Sequence, residues 1–370
     1  MNFSSGDERF MAAALAIGRR GFGRSAPNPS VGALVVKDGI IVGRGWTKPG
    51  GRPHAETEAL RSAGAEAKGA RLYVSLEPCS HHGQTPPCTD AIIAAGISRV
   101  VYAIDDPDPR ASGSAARLLE AAGIEVTKGV LEAGAKRAHL GHFLRVKEKR
   151  PMISLKLALT ADSFAAAGPG AERLQITGAP ANGFVHVQRA MHEAVMTGIG
   201  TVLADDPLLT VRLPGVDNRT PLRIVLDSNL RLPYQSQLAL TAGKIPALVI
   251  AGEGASEEKA ARLSAAHVEI AFVRRDGAGH IDLKSALNFL AGRGLTRIFC
   301  EGGPRLASAL IGAGLADEVM LLTAPEPLGL EGVPGLDAAA ASILAGPERY
   351  RLAEARMIGA DRLTRHERVL

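Results

Sequence analysis

His54-Ala55-Glu56, Pro78-Cys79 and Cys88 lie close together in a chain of 370 residues, and between them they hold the donors for a zinc ion. One imidazole nitrogen and two thiolates leave the fourth tetrahedral position to water, the open arrangement that a catalytic zinc requires. Glu56 stands two residues from the histidine, close enough to move protons beside the metal without binding it. Such a set suits hydrolytic removal of an amine from a ring carbon, with zinc activating the water and a glutamate shuttling protons. An H-x-E triplet alone is weak evidence, and so is a lone pair of cysteines. All four groups in this order, beside a proline, are specific.

Other readings of the same residues are weaker. The chain has three cysteines, and two of them fall in this one loop, so an odd count and a polar start (Met1 to Asp7) argue against a disulfide framework. A closed structural zinc would take His81 or His82 as its fourth ligand and would leave Glu56 without a task. Cys300, in the apolar run Arg297-Ile298-Phe299-Cys300, reads as a small buried hydrophobe.

Composition bounds the rest. The length suggests two domains or three, and 46% hydrophobic residues suffice for real cores. One tryptophan and 4% aromatics give little to stack single-stranded nucleic acid on. No stretch nears the ~18 uninterrupted apolar residues of a membrane span. The net charge of +5 is spread rather than massed, which fits solubility and an anionic small substrate instead of a nucleic-acid footprint. A cytoplasmic protein is expected, with no nucleic-acid or membrane partner; a homo-oligomer is compatible with all of this.

Elements must then position the donors. A helix is expected from Asp7 towards Arg20, a buried strand at Val31 to Val36, a turn at Lys37-Asp38-Gly39 and a partner strand at Ile40 to Trp46. His54 to Ala63 reads as a helix, Arg71 to Leu76 as a strand and Cys88 to Ala95 as a second helix. The two helix starts should meet at one strand end, where their free N–H groups favour a thiolate at Cys88. Strand and helix alternate onward, through Arg99 to Ile104, Ser114 to Ala122, Ile124 to Val126 and a helix from Leu131, predicting a mostly parallel sheet covered on both faces.

Eight residues separate the cysteines, where many nucleic-acid deaminases have two. His-Ala-Glu, the run Leu76 to Cys88 (LEPCSHHGQTPPC) and Pro27 to Val36 (PNPSVGALVV) resemble the deaminase half of the bifunctional deaminase–reductases of riboflavin biosynthesis. The resemblance implies a cytidine-deaminase-like three-layer α/β/α domain. In it Asn28 would hydrogen-bond the pyrimidine, and His81 and His82 would help to bind substrate.

The charged stretch Arg145 to Pro151 reads as a linker and divides the chain into residues 1–148 and 149–370. Beyond it, strands are expected at Met152 to Leu159, Glu193 to Thr197, Leu222 to Leu226, Ala247 to Ala251 and Arg297 to Cys300. Helices are expected around Ala181 to Arg189, Ser256 to Ala265, Leu283 to Leu290 and Leu306 to Ile311. Gly302 and Gly303, at a strand-to-helix turn, can let backbone N–H groups approach a phosphate. This is not a G-x-G-x-x-G fingerprint.

Three further runs resemble the reductase half of the same family: Thr201 to Arg212, Ile224 to Ser228 and Glu301 to Ile311. That likeness implies a dihydrofolate-reductase-like α/β domain using NADPH. The cofactor would be contacted by Leu159, Gln175, Thr201, Asp205, Ser228, Gly303, Pro304 and Arg305. The substrate would be contacted by Arg173, Arg189, Leu209, Arg212 and Glu301, with arginines suited to its phosphate. The chain departs from the family at Thr160-Ala161-Asp162-Ser163, where many members have glycine in place of Ser163, and at Gln175, where they have tryptophan.

Taken whole, the resemblance implies two steps. The amine of 2,5-diamino-6-(5-phosphoribosylamino)pyrimidin-4-one is hydrolysed, and the ribose is then reduced to give 5-amino-6-(5-phosphoribitylamino)uracil. Two alternatives stand beside it. One is a zinc deaminase of nucleic-acid bases, disfavoured by the long inter-cysteine loop. The other is a deaminase whose C-terminal half only senses nucleotides.

Overall fold

The computed structural model describes residues 4–83, 85–168 and 174–369. The chain forms two compact units, Met1–Arg150 and Pro151–Leu370.

In the first unit, α1 (Ser5–Gly18) begins at Ser4, whose hydroxyl accepts the Asp7 N–H at 3.1 Å, and it buries Phe10, Met11 and Ala14. Strands β1 (Gly32–Lys37) and β2 (Ile40–Trp46) form a hairpin. Its turn residues Asp38 and Gly39 both take positive φ, 49° and 78°, the backbone that tight hairpins favour. Then come α2 (Ala55–Ala63), β3 (Arg71–Val74), α3 (Cys88–Ala94), β4 (Arg99–Tyr102), α4 (Ser114–Ala121), β5 (Glu125–Lys128), α5 (Glu132–Ala138) and α6 (Leu140–Lys147).

The sheet order is β2-β1-β3-β4-β5. Strand β1 runs antiparallel to both neighbours, while β3, β4 and β5 are mutually parallel, so the mostly parallel sheet expected here is half antiparallel. A buried apolar run such as Ala33 to Val36 does not encode strand direction, and the short turn after Lys37 fixes it. Helix α2 lies almost on the backbone of β2: a Cβ on Gly45 would sit 2.0 Å from the Ala55 carbonyl oxygen. Glycine at this position lets the start of α2, with His54 before it, seat against the sheet.

The second unit contains β6 (Met152–Leu159), β7 (Phe164–Ala167), α7 (Ala179–Ala190), β8 (Ala194–Gly198), α8 (Ile199–Asp205) and β9 (Leu222–Leu226). It continues with α9 (Gln237–Leu240), β10 (Ala247–Gly252), α10 (Glu257–Ala265), β11 (Glu269–Val273), α11 (Leu283–Gly292), β12 (Arg297–Cys300) and α12 (Pro304–Gly312). It ends with β13 (Glu318–Thr323), β14 (Gly332–Pro334), α13 (Ala338–Ala345), β15 (Tyr350–Ile358) and β16 (Asp361–Arg368).

Nine of these strands form one sheet in the order β11-β10-β9-β8-β12-β6-β13-β16-β15, and β7 pairs with β14. All pairings from β11 to β13 are parallel; β16 is antiparallel to both its neighbours. Side chains alternate between two cores. Ala194, Met196, Ile224 and Leu248 pack in one, and Val195, Val225 and Val249 in the other, so both faces are covered. Strands β6, β8, β9 and β12 are parallel neighbours, so their carboxyl ends emerge along one edge, where ligand crevices form in such sheets.

Candidate functional site

In the first unit, His54 is the residue preceding α2, Cys79 follows β3, and Cys88 opens α3. Among the described residues these three form the metal-competent group, their donor atoms all within 4.8 Å of one another. His54 Nδ1 lies 3.5 Å from Cys79 Sγ and 3.3 Å from Cys88 Sγ. Zinc bonds of ~2.0–2.1 Å to nitrogen and ~2.3 Å to sulfur, at tetrahedral angles, place N and S about 3.5 Å apart. The donors fit the ion.

The Cys88 backbone N–H donates to Cys79 Sγ at 3.2 Å. Hydrogen bonds from the Cys88 thiol, the His54 ring and that N–H outweigh burial and bring the Cys79 thiol down to about 4. Cys88 moves the opposite way, raised by its bond to Cys79 and by burial. The expected help from the α3 helix start therefore goes to Cys79 and not to Cys88, because the first free N–H of a helix points back at the preceding loop. Glu56 is 3% exposed, and burial pushes its carboxyl up to about 7 against the pull of His54.

Asn28 packs behind His54. Its Nδ2 donates to the Gly51 carbonyl at 2.9 Å and lies 3.3 Å from His54 Nε2. His82 is exposed and His81 half-buried, with a buried His81 Nδ1 that has no partner among the described residues; neither joins the metal group. Glu77 was not foreseen. Its buried carboxylate accepts N–H groups from Asp106, Gly113 and Ala115 at 3.1–3.2 Å, tying the loop after β4 to the strand end that carries Cys79. A carboxylate directly before Pro78-Cys79 was the only signal for it.

In the second unit, Leu159 ends β6, Thr201 and Asp205 lie on α8, Ser228 follows β9, and Glu301 to Arg305 follow β12. All stand on the edge where those strands end. Gly303 precedes α12 without a side-chain cap, and its N–H donates to Thr201 Oγ1 at 3.1 Å. A Cβ on Gly302 would meet the Leu306 side chain at 2.6 Å, so the turn packs closely on α12, and the helix start without a side-chain cap fits a cofactor phosphate. The Ser228 hydroxyl accepts the Ile281 N–H at 3.2 Å and its carbonyl accepts Arg275 Nη2 at 2.7 Å. Gln175 is exposed, and Arg173 lies outside the described residues.

Arg189 and Glu301 form a buried bidentate pair, and Arg189 Nη1 also donates to the Thr210 carbonyl at 2.8 Å. Arg189 is therefore not a surface charge, nor is it free for a phosphate. Arg212 is exposed; its Nη1 donates to Thr210 Oγ1 at 3.2 Å and its backbone N–H to His186 Nδ1 at 3.2 Å. Leu209 is buried at φ 54° in the same segment. Burial raises the Glu301 carboxyl, but Arg189, Lys156 and His186 together hold it below the ordinary carboxylate range. Lys156 and His186 thus belong to this cluster. The charged residue inside the apolar β6 pattern was the available signal for Lys156.

Comparison with known proteins agrees with the geometry. Residues 4–104 match the cytidine and deoxycytidylate deaminase zinc-binding region, and residues 151–361 match the RibD C-terminal domain. The riboflavin biosynthesis protein RibD of Escherichia coli K12 is 38% identical over 371 residues, covering 96% of this chain and 97% of that protein. The RibD of Aquifex aeolicus is 40% identical over 323 residues, covering 87% and 88%.

Among solved structures, Acinetobacter baumannii RibD (form 1) superposes with a TM-score of 0.85 at 33% identity, covering 99% of each chain. The diaminohydroxyphosphoribosylaminopyrimidine deaminase/5-amino-6-(5-phosphoribosylamino)uracil reductase of Thermotoga maritima gives 0.84 at 33%, covering 98% and 99%.

A zinc deaminase followed by a dihydrofolate-reductase-like domain defines a two-activity enzyme, a hydrolase and an NADP-dependent oxidoreductase on one chain. The chain belongs to the RibD family, the bifunctional deaminase–reductases of riboflavin biosynthesis. Its cofactors are zinc and NADPH, and the readings as a nucleic-acid deaminase or a nucleotide sensor are not favoured. Among the described residues no helix is long and apolar enough to cross a membrane.

Proposed function

We propose that residues 1–148 deaminate 2,5-diamino-6-(5-phosphoribosylamino)pyrimidin-4-one and that residues 149–370 reduce the product's ribose to a ribityl chain with NADPH. The observation that carries the first step is the convergence of His54, Cys79 and Cys88 at 3.3–3.5 Å from the His54 nitrogen, with Glu56 buried beside them. Those three residues hold the zinc, which when bound supplies an acidified water and polarises the reacting centre. Glu56 takes a proton from the water and hands it to the departing amine, and a carboxyl raised to about 7 by burial suits both halves of that transfer. Asn28 and the His81-His82 loop orient the ring.

In the second step the Gly303-Pro304-Arg305 turn receives a cofactor phosphate, while Leu159, Gln175, Thr201, Asp205 and Ser228 line its path. Glu301, kept ionised by Arg189, accepts hydrogen bonds from substrate hydroxyls. Arg212, exposed beside that pair, meets the substrate phosphate. Arg173 and Leu209 complete the substrate side. The substrate is free in solution and not part of a nucleic acid, and all three cysteines are unpaired, as the cytoplasm keeps them.

A coupled assay tests both steps. Purified protein should release ammonia from the free pyrimidine phosphate and none from RNA, and should then oxidise NADPH. Deamination without NADPH oxidation, even at millimolar cofactor, would replace the reductase with a nucleotide sensor.

A further inference from the structure

The deaminase substrate proposed above carries a phosphate, so the first unit needs a cation near its metal group that nothing else neutralises. Arg52 meets that need. It is half-buried, two residues before His54, and adjoins Gly51, whose carbonyl holds Asn28. Its Nη1 donates to Thr85 Oγ1, so the guanidinium reaches from the α2 side of the site to the inter-cysteine loop. That loop passes close above it: a Cβ on Gly83 would lie 3.2 Å from Arg52 Nη2.

Two neighbouring cations are committed elsewhere. Lys48 pairs with Glu58 at 3.2 Å and lies over the Trp46 ring. Arg110 is clasped by both oxygens of Asp108. Among the described residues no carboxylate lies within ion-pair distance of Arg52, whose one hydrogen bond is to a neutral hydroxyl.

We propose that Arg52 is the phosphate-binding residue of the deaminase site, holding the 5-phosphate of the substrate at the mouth between the start of α2 and the inter-cysteine loop. The planar guanidinium offers several N–H groups to phosphate oxygens, and donating to Thr85 uses only part of them. Binding here fixes the ribose end of the substrate while the ring reaches towards His54 and Glu56. The inference rests on the zinc-deaminase reading.

The test measures ammonia release by wild type, Arg52→Gln and Arg52→Lys with the phosphorylated substrate and with its dephosphorylated riboside, alongside zinc content. Arg52→Gln should raise KM for the phosphorylated substrate ~10–100-fold, the usual weight of hydrogen bonds to a charged group. It should leave zinc content and the kinetics of the riboside near wild type, and inorganic phosphate should lose its competitive inhibition. Arg52→Lys should recover part of the affinity as a point charge. Equal losses on both substrates, no change on either, or zinc loss in both variants would overturn the assignment and leave Arg52 a loop brace. A wild-type protein that releases no ammonia would defeat the deaminase reading itself, whereas the outcomes above overturn Arg52 alone.

Discussion

Arg189, near the end of α7, and Glu301, just past β12, meet side by side, with Nε to Oε1 at 2.5 Å and Nη2 to Oε2 at 3.0 Å. Each side chain is 11% exposed, so neither charge has water to fall back on. The pair links the helix to the strand end on which the cofactor turn is mounted.

Replacing one member should cost more than replacing both. Glu301→Gln strands the Arg189 charge, a loss of ~3–5 kcal/mol for a buried pair, whereas Arg189→Met with Glu301→Met removes both charges and should recover most of it. Chemical denaturation reads the difference. Reduction should fail in both variants while ammonia release persists.

Cys88→Ser should release the metal and abolish deamination while reduction of supplied intermediate continues. Metal analysis and the two separate assays check this. Stoichiometric zinc in that variant would bring His81 or His82 back as a ligand.

Glu56→Gln should keep zinc and fold but slow deamination by ~10²–10⁴-fold, the range for a positioned acid–base group. Turnover near the wild-type rate would remove Glu56 from proton transfer.

Gln175→Trp should tighten NADPH binding. An added aromatic face contributes ~0.5–1.5 kcal/mol, up to about tenfold in Kd. Titration of cofactor fluorescence measures it, and an unchanged Kd would place residue 175 away from the nucleotide.

His192, just past α7, gives the fold a pH dependence of its own. Its Nδ1 donates to the Gln188 carbonyl at 2.7 Å and its Nε2 accepts from Ser154 Oγ at 3.0 Å, while burial, followed by the charge of Arg297, lowers its pKa to about 4. The folded state thus prefers the neutral ring. That contribution is whole above the unfolded value of ~6.5 and is lost as pH falls towards 4, roughly 3 kcal/mol in all. Unfolding free energies of wild type and His192→Gln should converge over this interval as pH drops.

The sequence was most legible where local chemistry decides. The Asp38-Gly39 hairpin, the His54 helix start and the Gly302-Gly303 turn each follow from residues within a few positions. What it hid was long-range. Strand β15 exposes six of its nine residues and buries only Tyr350, so burial gives it no regular apolar alternation by which to read it. The Arg189–Glu301 bond joins residues far apart in sequence, and the spacing of charges offers no hint of it. Ser163, where the resemblance implies a glycine, adopts φ 70°, held by its N–H to the Thr160 carbonyl and its carbonyl to the Gly335 N–H. The turn forms without glycine because its bonds come from the backbone.

The placement of β6 and β16 also sets an order of assembly during synthesis. Strands of the first unit pair with partners made soon before or after them. In the second unit, β6 is made first yet lies between β12 and β13, and β16 closes the gap between β13 and β15. A nascent chain released before Asp361 leaves the hydrogen-bonding edge of β13 bare, an open template for pairing with another chain. The ribosome can therefore deliver a folded deaminase unit long before the reductase sheet is able to close, and premature termination would yield a protein that retains its first fold and aggregates through its second.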